Sequence, residues 1–166
     1  MTEIHVRPAT PADHDAIGAL SVAAYRGDGQ TKQDHPYESH LRDVGARAAG
    51  GEVLVAVDEA TGAVLGSVTF VLPGSPLAEL ATDGEAEFRM LAVSPQAQGR
   101  GVGEALARAC LARAGELGCR SVVICVRDFA ADARRLYARM GFERAPELDW
   151  SPLPEVILLG LRYPLG

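Results

Sequence analysis

Apolar residues recur along the chain at two spacings, which predict alternating strands and helices. Short apolar or alternating runs predict strands at residues 4–7, 53–57, 64–71, 85–93, 121–126 and 155–162. Apolar residues three and four positions apart, together with helix start and stop signals, predict helices over residues 11–24, 37–49, 102–117 and 131–140. The resulting order is β-α-α-β-β-β-α-β-α-β, which predicts an α/β (α+β) fold with a mixed sheet and helices on both faces.

Residues that begin or end helices support these boundaries. Thr10 is suited to the N-cap of the first helix, with Pro11 at the first helical position. Gly141 is suited to the C-terminal stop of the last helix. Polar segments at residues 26–35 and 73–84 predict loops, and a turn at 58–62 predicts a hairpin between its flanking strands.

Length and composition indicate one soluble globular domain spanning residues 1–166. Apolar residues make up 48% and charged residues 23% of the chain, and no linker or repeat divides it. No apolar run approaches the roughly 18 residues that cross a bilayer. The opening MTEIHVRPAT lacks the features of a secretory signal, so we expect a cytoplasmic protein without membrane contact.

Charge and metal-ligand patterns exclude two further classes of function. The net charge of -6 argues against a general nucleic-acid binder, which needs a basic surface. The three cysteines form no CxxC pair, and His35 and His40 are poorly spaced for one helical site. We therefore expect neither a disulfide framework nor a metal site.

The segment from Gln98 to Gly103 carries the clearest chemical signal. It lies between a strand ending at Val93 and a helix, and its three glycines let the backbone approach a ligand closely. The free amides of a helix N-terminus bind phosphate oxygens, so the segment predicts a phosphate site. Glu104 after the last glycine excludes both the Walker sequence and the dinucleotide fingerprint. The alternative is that the glycines only turn the chain.

Two motifs, in order and properly spaced, give the sequence a family resemblance. The pattern Gln98-x-x-Gly101-x-Gly103 resembles the Arg/Gln-x-x-Gly-x-Gly/Ala signature of the GNAT superfamily. Residues 133–142, ARRLYARMGF, resemble the family segment A-x-x-L-Y-x-x-x-G-F. The opening residues 6–13 also resemble the usual start of these proteins. One departure is Ala130, because the family often has Asn at this position to help hold the cofactor.

The resemblance implies a mostly antiparallel mixed sheet with two splayed parallel strands and acetyl-CoA as co-substrate. It implies an N-acetyltransferase that moves the acetyl group directly to a primary amine of a small molecule or peptide. The gap between the splayed strands would hold the pantetheine arm, and the glycine-rich segment would hold the pyrophosphate. The implied cofactor-binding residues are Leu91, Ala92, Val93, Gln98, Gly99, Arg100, Gly101, Val102, Gly103 and Glu104.

Two side chains are candidates for the proton transfers that amine acetylation requires. Glu87 matches the position where several family members carry a glutamate base, and Glu85 is the second candidate. The alternative is that Glu87 faces solvent or pairs with Arg89. Tyr137 matches the family tyrosine near the sulfur and would donate a proton to the leaving thiolate. Its alternative role is core packing, since it shares an apolar helix face.

The acceptor amine is not identified by the sequence. Tyr25, Tyr37 and Trp150 lie in segments that face the thioester in this fold, and they either line an acceptor pocket or pack in the core. The alternatives to acetyl transfer are a non-catalytic acyl-CoA-binding module, transfer of another acyl group, or a domain for protein interaction. A homodimer is compatible with the sequence.

Overall fold

The computed structural model describes residues 3–166, and this range forms eight strands and five α-helices. The strands are β1 (Ile4–Pro8), β2 (Glu52–Asp58), β3 (Val64–Val71), β4 (Glu85–Val93), β5 (Ser121–Arg127), β6 (Glu143–Arg144), β7 (Trp150–Leu153) and β8 (Val156–Pro164). The helices are α1 (His14–Gly27), α2 (Tyr37–Arg42), α3 (Val44–Gly50), α4 (Val102–Glu116) and α5 (Ala131–Met140).

All strands belong to one sheet in the order β1-β2-β3-β4-β5-β8-β6, and β7 also pairs with β8. Among the described residues, β4 and β5 form the only parallel pair, and every other pair is antiparallel. A parallel pair requires a crossover connection, which α4 supplies. The mixed, mostly antiparallel sheet predicted from the sequence is confirmed.

Alternation along the strands directs side chains to two helical layers. On β2, Val53, Val55 and Val57 pack with Ile17 of α1 and Val44 of α3. The alternate residues of β2 instead join a larger cluster that contains the buried faces of α4 and α5. The helices therefore cover both faces of the sheet, as the sequence predicts. No helix in the described part of the chain is long and apolar enough to cross a membrane.

Two details differ from the predicted elements. The helix predicted over residues 37–49 is divided at Asp43, whose backbone leaves the helical region (φ -82°, ψ 68°) and whose carboxylate accepts from Ala46 N at 3.1 Å. Residues 143–153, for which no element was predicted, contain β6 and β7. Both are too short to show a periodic pattern, and Pro152 inside β7 is a residue that normally argues against a strand.

Glu85 joins β4 to β5 and β8 through a buried carboxylate. It accepts hydrogen bonds from Ser121 Oγ at 2.8 Å, Thr82 Oγ1 at 2.9 Å and Arg162 Nε at 3.0 Å. Burial opposes ionisation, but these hydrogen bonds outweigh it and lower the pKa of Glu85 from 4.5 to about 2. The ionised carboxylate therefore stabilises the fold above its ordinary pKa, and this contribution is lost as pH falls toward the folded value.

Glu85→Gln is expected to lower the free energy of unfolding near neutral pH by about 3 kcal/mol, because a buried ion pair loses one partner. The difference from wild type should shrink as pH falls below about 4.5, where the unfolded carboxylate takes up its proton. Urea denaturation at several pH values measures both effects. The control is Glu143→Gln, which changes an exposed glutamate. Equal destabilisation by the two variants would contradict the structural role of Glu85.

Candidate active site

The parallel strands β4 and β5 separate after a short paired segment. Their pairing extends only over residues 85–87 and 121–123. Beyond it, a cleft of about 780 Å³ opens, lined by residues 88–93 of β4 and 124–126 of β5. This size is typical of small-molecule sites. The splayed parallel strands predicted from the family resemblance are present.

A bulge in β4 turns the backbone where it borders the cleft. The register with β3 shifts between Ser67 and Thr69, and Met90 adopts a left-handed backbone with φ of 57°. This conformation costs energy for a residue other than glycine and is typically retained at functional sites. Leu91 and Ala92, whose amides we predict to bind the thioester oxygen, follow directly and line the cleft.

The glycine-rich segment presents the N-terminus of α4 to the cleft. Gly99 and Gly101 have φ of 79° and 81°, and a Cβ at either position would meet nothing within 4 Å. The first intrahelical bond runs from Ala105 N to Gly101 O, and no side chain caps the helix. The amides of residues 102–104 therefore lack intrahelical acceptors at the positive end of the helix dipole. This arrangement favours a phosphate group.

The two polar side chains of this segment point to different places. Gln98 lines the cleft, and its Nε2 lies 3.5 Å from the Val93 carbonyl oxygen. Arg100, predicted to bind the cofactor, is not among the cleft-lining residues. Its Nη2 instead lies 3.3 Å from Asp58 Oδ2, because the carboxylate at the end of β2 offers it an ionic partner. The other nine predicted cofactor-binding residues all line the cleft.

Helix α5 forms the opposite wall and carries Tyr137. This side chain is buried but lines the cleft, and its ring lies 5.2 Å from that of Phe142 and 6.1 Å from that of Phe88. Burial raises the pKa of Tyr137 well above its ordinary value, so the phenol keeps its proton at neutral pH. Tyr137 therefore combines both predicted features, a packed ring and a position beside the cleft.

Two arginines of α5, which sequence reasoning missed, also line the cleft. Arg135 and Arg139 are four residues apart and thus share one face of the helix. The helix N-cap is Ala130, which supplies no side-chain cap, so the first amides of α5 also border the cleft uncapped. The four-residue spacing of the two arginines was the signal available in the sequence.

The three predicted acceptor-site aromatic residues lie around one end of the cleft. The rings of Tyr25 and Tyr37 are 5.8 Å apart, and Arg89 Nη2 donates to Tyr37 Oη at 3.3 Å. Trp150 lies beside Cys125, and its indole Nε1 is buried. Burial raises the pKa of Cys125 to about 12, so it remains a thiol. Tyr25, Arg89 and Cys125 line the cleft directly.

The predicted base, Glu87, is not among the residues that line the cleft. Its side chain is 1% exposed, and Oε1 accepts from the backbone nitrogens of Glu79, Leu80 and Ala81 at 3.0, 2.9 and 3.1 Å. Glu87 thus neither faces solvent nor lines the cleft, and its role as base stays a prediction. Glu85, the second candidate, is bound in the network with Ser121 and Arg162 and also lies outside the cleft lining.

No potential metal site is found in the part of the chain that the structure describes. Nowhere in residues 3–166 do three His, Cys, Asp or Glu side chains come together in a way that would hold a metal ion.

Comparisons with known proteins agree with this geometry. Residues 15–142 match the family model of the acetyltransferase (GNAT) family. A comparison with curated proteins finds no match.

Several solved structures share the fold over nearly the whole chain. A GCN5-related N-acetyltransferase from Kribbella flavida is 30% identical, with 98% of each chain covered and a TM-score of 0.72. A GNAT family acetyltransferase from Brucella melitensis, solved with acetyl-CoA, is 27% identical, with 99% of this chain and 89% of that chain covered and a TM-score of 0.66. A GNAT family acetyltransferase from Staphylococcus aureus is 12% identical, with 99% and 100% covered and a TM-score of 0.77.

Proposed function

Because this chain belongs to the GNAT acetyltransferase family, whose co-substrate is acetyl-CoA, we propose that it acetylates a primary amine of a small molecule or peptide. One observation carries the proposal. The cleft between β4 and β5 brings together the uncapped N-terminus of α4, the bulged strand edge at residues 90–92 and the protonated phenol of Tyr137. These are the groups needed to hold the co-substrate and to assist acyl transfer.

The residues present fit acetyl-CoA. The amides of residues 102–104 and the open space at Gly99 and Gly101 suit the pyrophosphate. The edge of β4 at residues 91–93, which has no strand partner on the β5 side, suits the amide groups of the pantetheine arm. When bound, acetyl-CoA supplies an activated carbonyl carbon for attack by the amine.

The side chains and amides of the cleft would each assist a different step of the reaction. An amide near Leu91 or Ala92 would stabilise the negative charge that develops on the carbonyl oxygen. The amine attacks only after an ammonium proton has been removed by a base, for which Glu87 is the sequence-based candidate. Tyr137 would donate a proton to the departing thiolate. Holding amine and thioester together supplies a further part of the rate.

A broad amine screen tests this proposal directly. The protein is incubated with acetyl-CoA and polyamines, aminoglycosides, amino acids or peptide N-termini, and the free thiol of CoA is measured. We expect amine-dependent thiol release. Acetyl-CoA binding without release for every amine would indicate a non-catalytic acyl-CoA-binding module. Faster thiol release from another acyl-CoA, such as succinyl-CoA, would show that the protein transfers a different acyl group by the same reaction.

Arg139→Ala is expected to weaken acetyl-CoA binding about fivefold, because one exposed cation that lines the cleft would contribute about 1 kcal/mol to holding the anionic co-substrate. The control is Arg134→Ala, on the same helix but outside the cleft lining. Calorimetric titration at low and high salt measures the effect, which should shrink as salt screens the charge. Equal losses in the two variants would show that the cleft-lining position of Arg139 has no special role.

A further inference from the structure

The loop at residues 73–84 is held against β4 by three side chains of one strand face. Glu85, Glu87 and Arg89 alternate along β4 and therefore point the same way. Glu85 accepts from Thr82 N at 3.2 Å, Glu87 accepts from the amides of residues 79–81, and Arg89 Nη1 donates to Leu77 O at 3.0 Å. Four consecutive loop residues, 79–82, and Leu77 are thus fixed relative to the cleft-forming strand.

Glu79 does not itself line the cleft, but its carboxylate lies beside Arg89, at the end of the cleft where Tyr25 and Tyr37 are found. Its Oε1 lies 3.1 Å from Nε of Arg89, which itself lines the cleft. Arg89 in turn donates to the Tyr37 hydroxyl, which lies beside Tyr25. Burial, and after it the charge of Glu79, raises the pKa of the Cys125 thiol, which lines the cleft. Four elements therefore converge around Glu79: α2, the loop, β4 and β5.

The carboxylates of Glu79 and Glu87 differ in their exposure and in the number of hydrogen bonds that they already accept. Both oxygens of Glu87 accept hydrogen bonds from the Glu79 amide. Oε1 also accepts hydrogen bonds from the amides of Leu80 and Ala81, and Glu87 is 1% exposed. A carboxylate with this many donors has little remaining capacity for an incoming ammonium. The side chain of Glu79 is 26% exposed, and its single ion pair leaves one oxygen without a described partner. Glu79 is thus the accessible carboxylate of the two.

We propose that Glu79 takes the proton from the acceptor ammonium and that Glu87 acts as a positioning residue that holds Glu79 in place. The proposal rests on the acetyl transfer proposed above. An N–H bond of the ammonium breaks, the proton passes to Glu79, and the freed electron pair forms a bond to the thioester carbon. The C–S bond then breaks, and its electron pair takes the proton of Tyr137. The amide product then gives its remaining extra proton to the Tyr137 phenolate, and Glu79 releases its proton to solvent, so the sum is acylated amine, CoA thiol and one released proton.

The surroundings of Glu79 favour this role. Burial raises the pKa of Glu79 above its ordinary value, and Glu87 adds to the rise, whereas Arg89 opposes it. The other titratable groups facing it are Tyr37 and Cys125, and burial raises the pKa of both, so they remain neutral. A carboxylate with a raised pKa is a better proton acceptor near neutral pH than an ordinary one.

The test uses primary amines of graded basicity. Propylamine is almost fully protonated at neutral pH and needs a base, whereas trifluoroethylamine is largely free. Glu79→Gln keeps an oxygen for Arg89 but removes the base. We expect it to lower kcat/KM for propylamine by about 10²–10⁴-fold and to change the rate with trifluoroethylamine little. The loss for propylamine should shrink as pH rises and more free amine is present.

Two further variants separate the roles of the carboxylates. Glu87→Gln should slow both amines by a similar factor and keep the wild-type dependence on pH, because it displaces the base without removing it. Asp83→Asn, which removes an exposed charge from the same loop, should leave both rates unchanged. An amine-selective loss in Glu87→Gln, with none in Glu79→Gln, would overturn the proposal and return the role of base to Glu87.

The remaining outcomes are also decisive. If Glu79→Gln slows both amines equally, Glu79 contributes to structure rather than to proton removal, and the proposal is wrong. Calorimetry with acetyl-CoA distinguishes this failure from a failure of the proposed function. A wild-type protein that binds acetyl-CoA but transfers its acetyl group to no amine in the series or in the broader screen would overturn the acetyltransferase proposal and, with it, the role of Glu79.

Discussion

Tyr137→Phe is expected to lower kcat by about 10²-fold or more while leaving KM for acetyl-CoA nearly unchanged. The substitution keeps the ring and therefore its contacts with Phe88 and Phe142. It deletes only the hydroxyl, whose proton is retained at neutral pH because burial raises the pKa of Tyr137. An interaction made mainly in the transition state affects kcat rather than binding. Steady-state kinetics, under conditions where chemistry limits the rate, measure the effect.

The matched control is Tyr163→Phe. Tyr163 belongs to the same aromatic cluster, with its ring 5.2 Å from Phe142, but it does not line the cleft. Loss of its hydroxyl should leave kcat near the wild-type value. The effect of Tyr137→Phe should also be smaller for an acyl thioester with a more acidic leaving thiol, which needs less help. Equal kcat values for wild type and Tyr137→Phe would leave Tyr137 as a packing residue alone.

Local sequence signals predicted the architecture because each depends on a few neighbouring residues. Alternating and periodic apolar positions specified most of the strands and helices, since the same residues form the buried faces. The glycines at 99 and 101 could be recognised because a left-handed backbone before a helix leaves few other choices. The family motifs then added the splay of β4 and β5, which no local pattern specifies.

Contacts between distant segments could not be predicted in the same way. Arg100 was expected at the cleft, but the end of β2, 42 residues earlier, offers it the carboxylate of Asp58. Glu87 was correctly placed on β4, yet the direction of its carboxylate depends on how the loop before the strand folds back. The sequence pattern of that loop is irregular, and the amides that Glu87 binds belong to its backbone. Side-chain identity therefore carried no signal for this contact.

The break between α2 and α3 had a weak local signal. Asp43 is a favourable N-cap residue, and it caps α3 through the amide of Ala46. The flanking residues still have helical periodicity, so a single helix over residues 37–49 was an equally consistent prediction. Helix α2 contributes to the site, because its first residue, Tyr37, accepts a hydrogen bond from Arg89. Tyr37 was still a predicted acceptor-site residue, because the predicted helix and α2 both begin there.

Gly101→Val is expected to weaken acetyl-CoA binding by about 10–100-fold. Gly101 has φ of 81° at the N-cap of α4, a conformation that a β-branched residue adopts only with strain. Relief of that strain would move the amides of residues 102–104, and each charge-assisted hydrogen bond to the pyrophosphate contributes about 1.5–3 kcal/mol. Gly103→Ala should have a much smaller effect, because its Cβ would make ordinary contacts of 3.7 Å or more with Leu136, Val93 and Leu91.

The control for backbone strain is Gly118→Val. Gly118 has φ of 76°, and a Cβ there would also meet nothing within 4 Å, but the residue lies beyond the other end of α4. Both valine variants should therefore lose similar unfolding free energy, which denaturant titration measures, whereas only Gly101→Val should lose affinity in calorimetry. This comparison separates strain, which the two positions share, from the presentation of helix amides, which only Gly101 controls. Unchanged acetyl-CoA affinity in folded Gly101→Val would show that the glycine-rich segment only turns the chain.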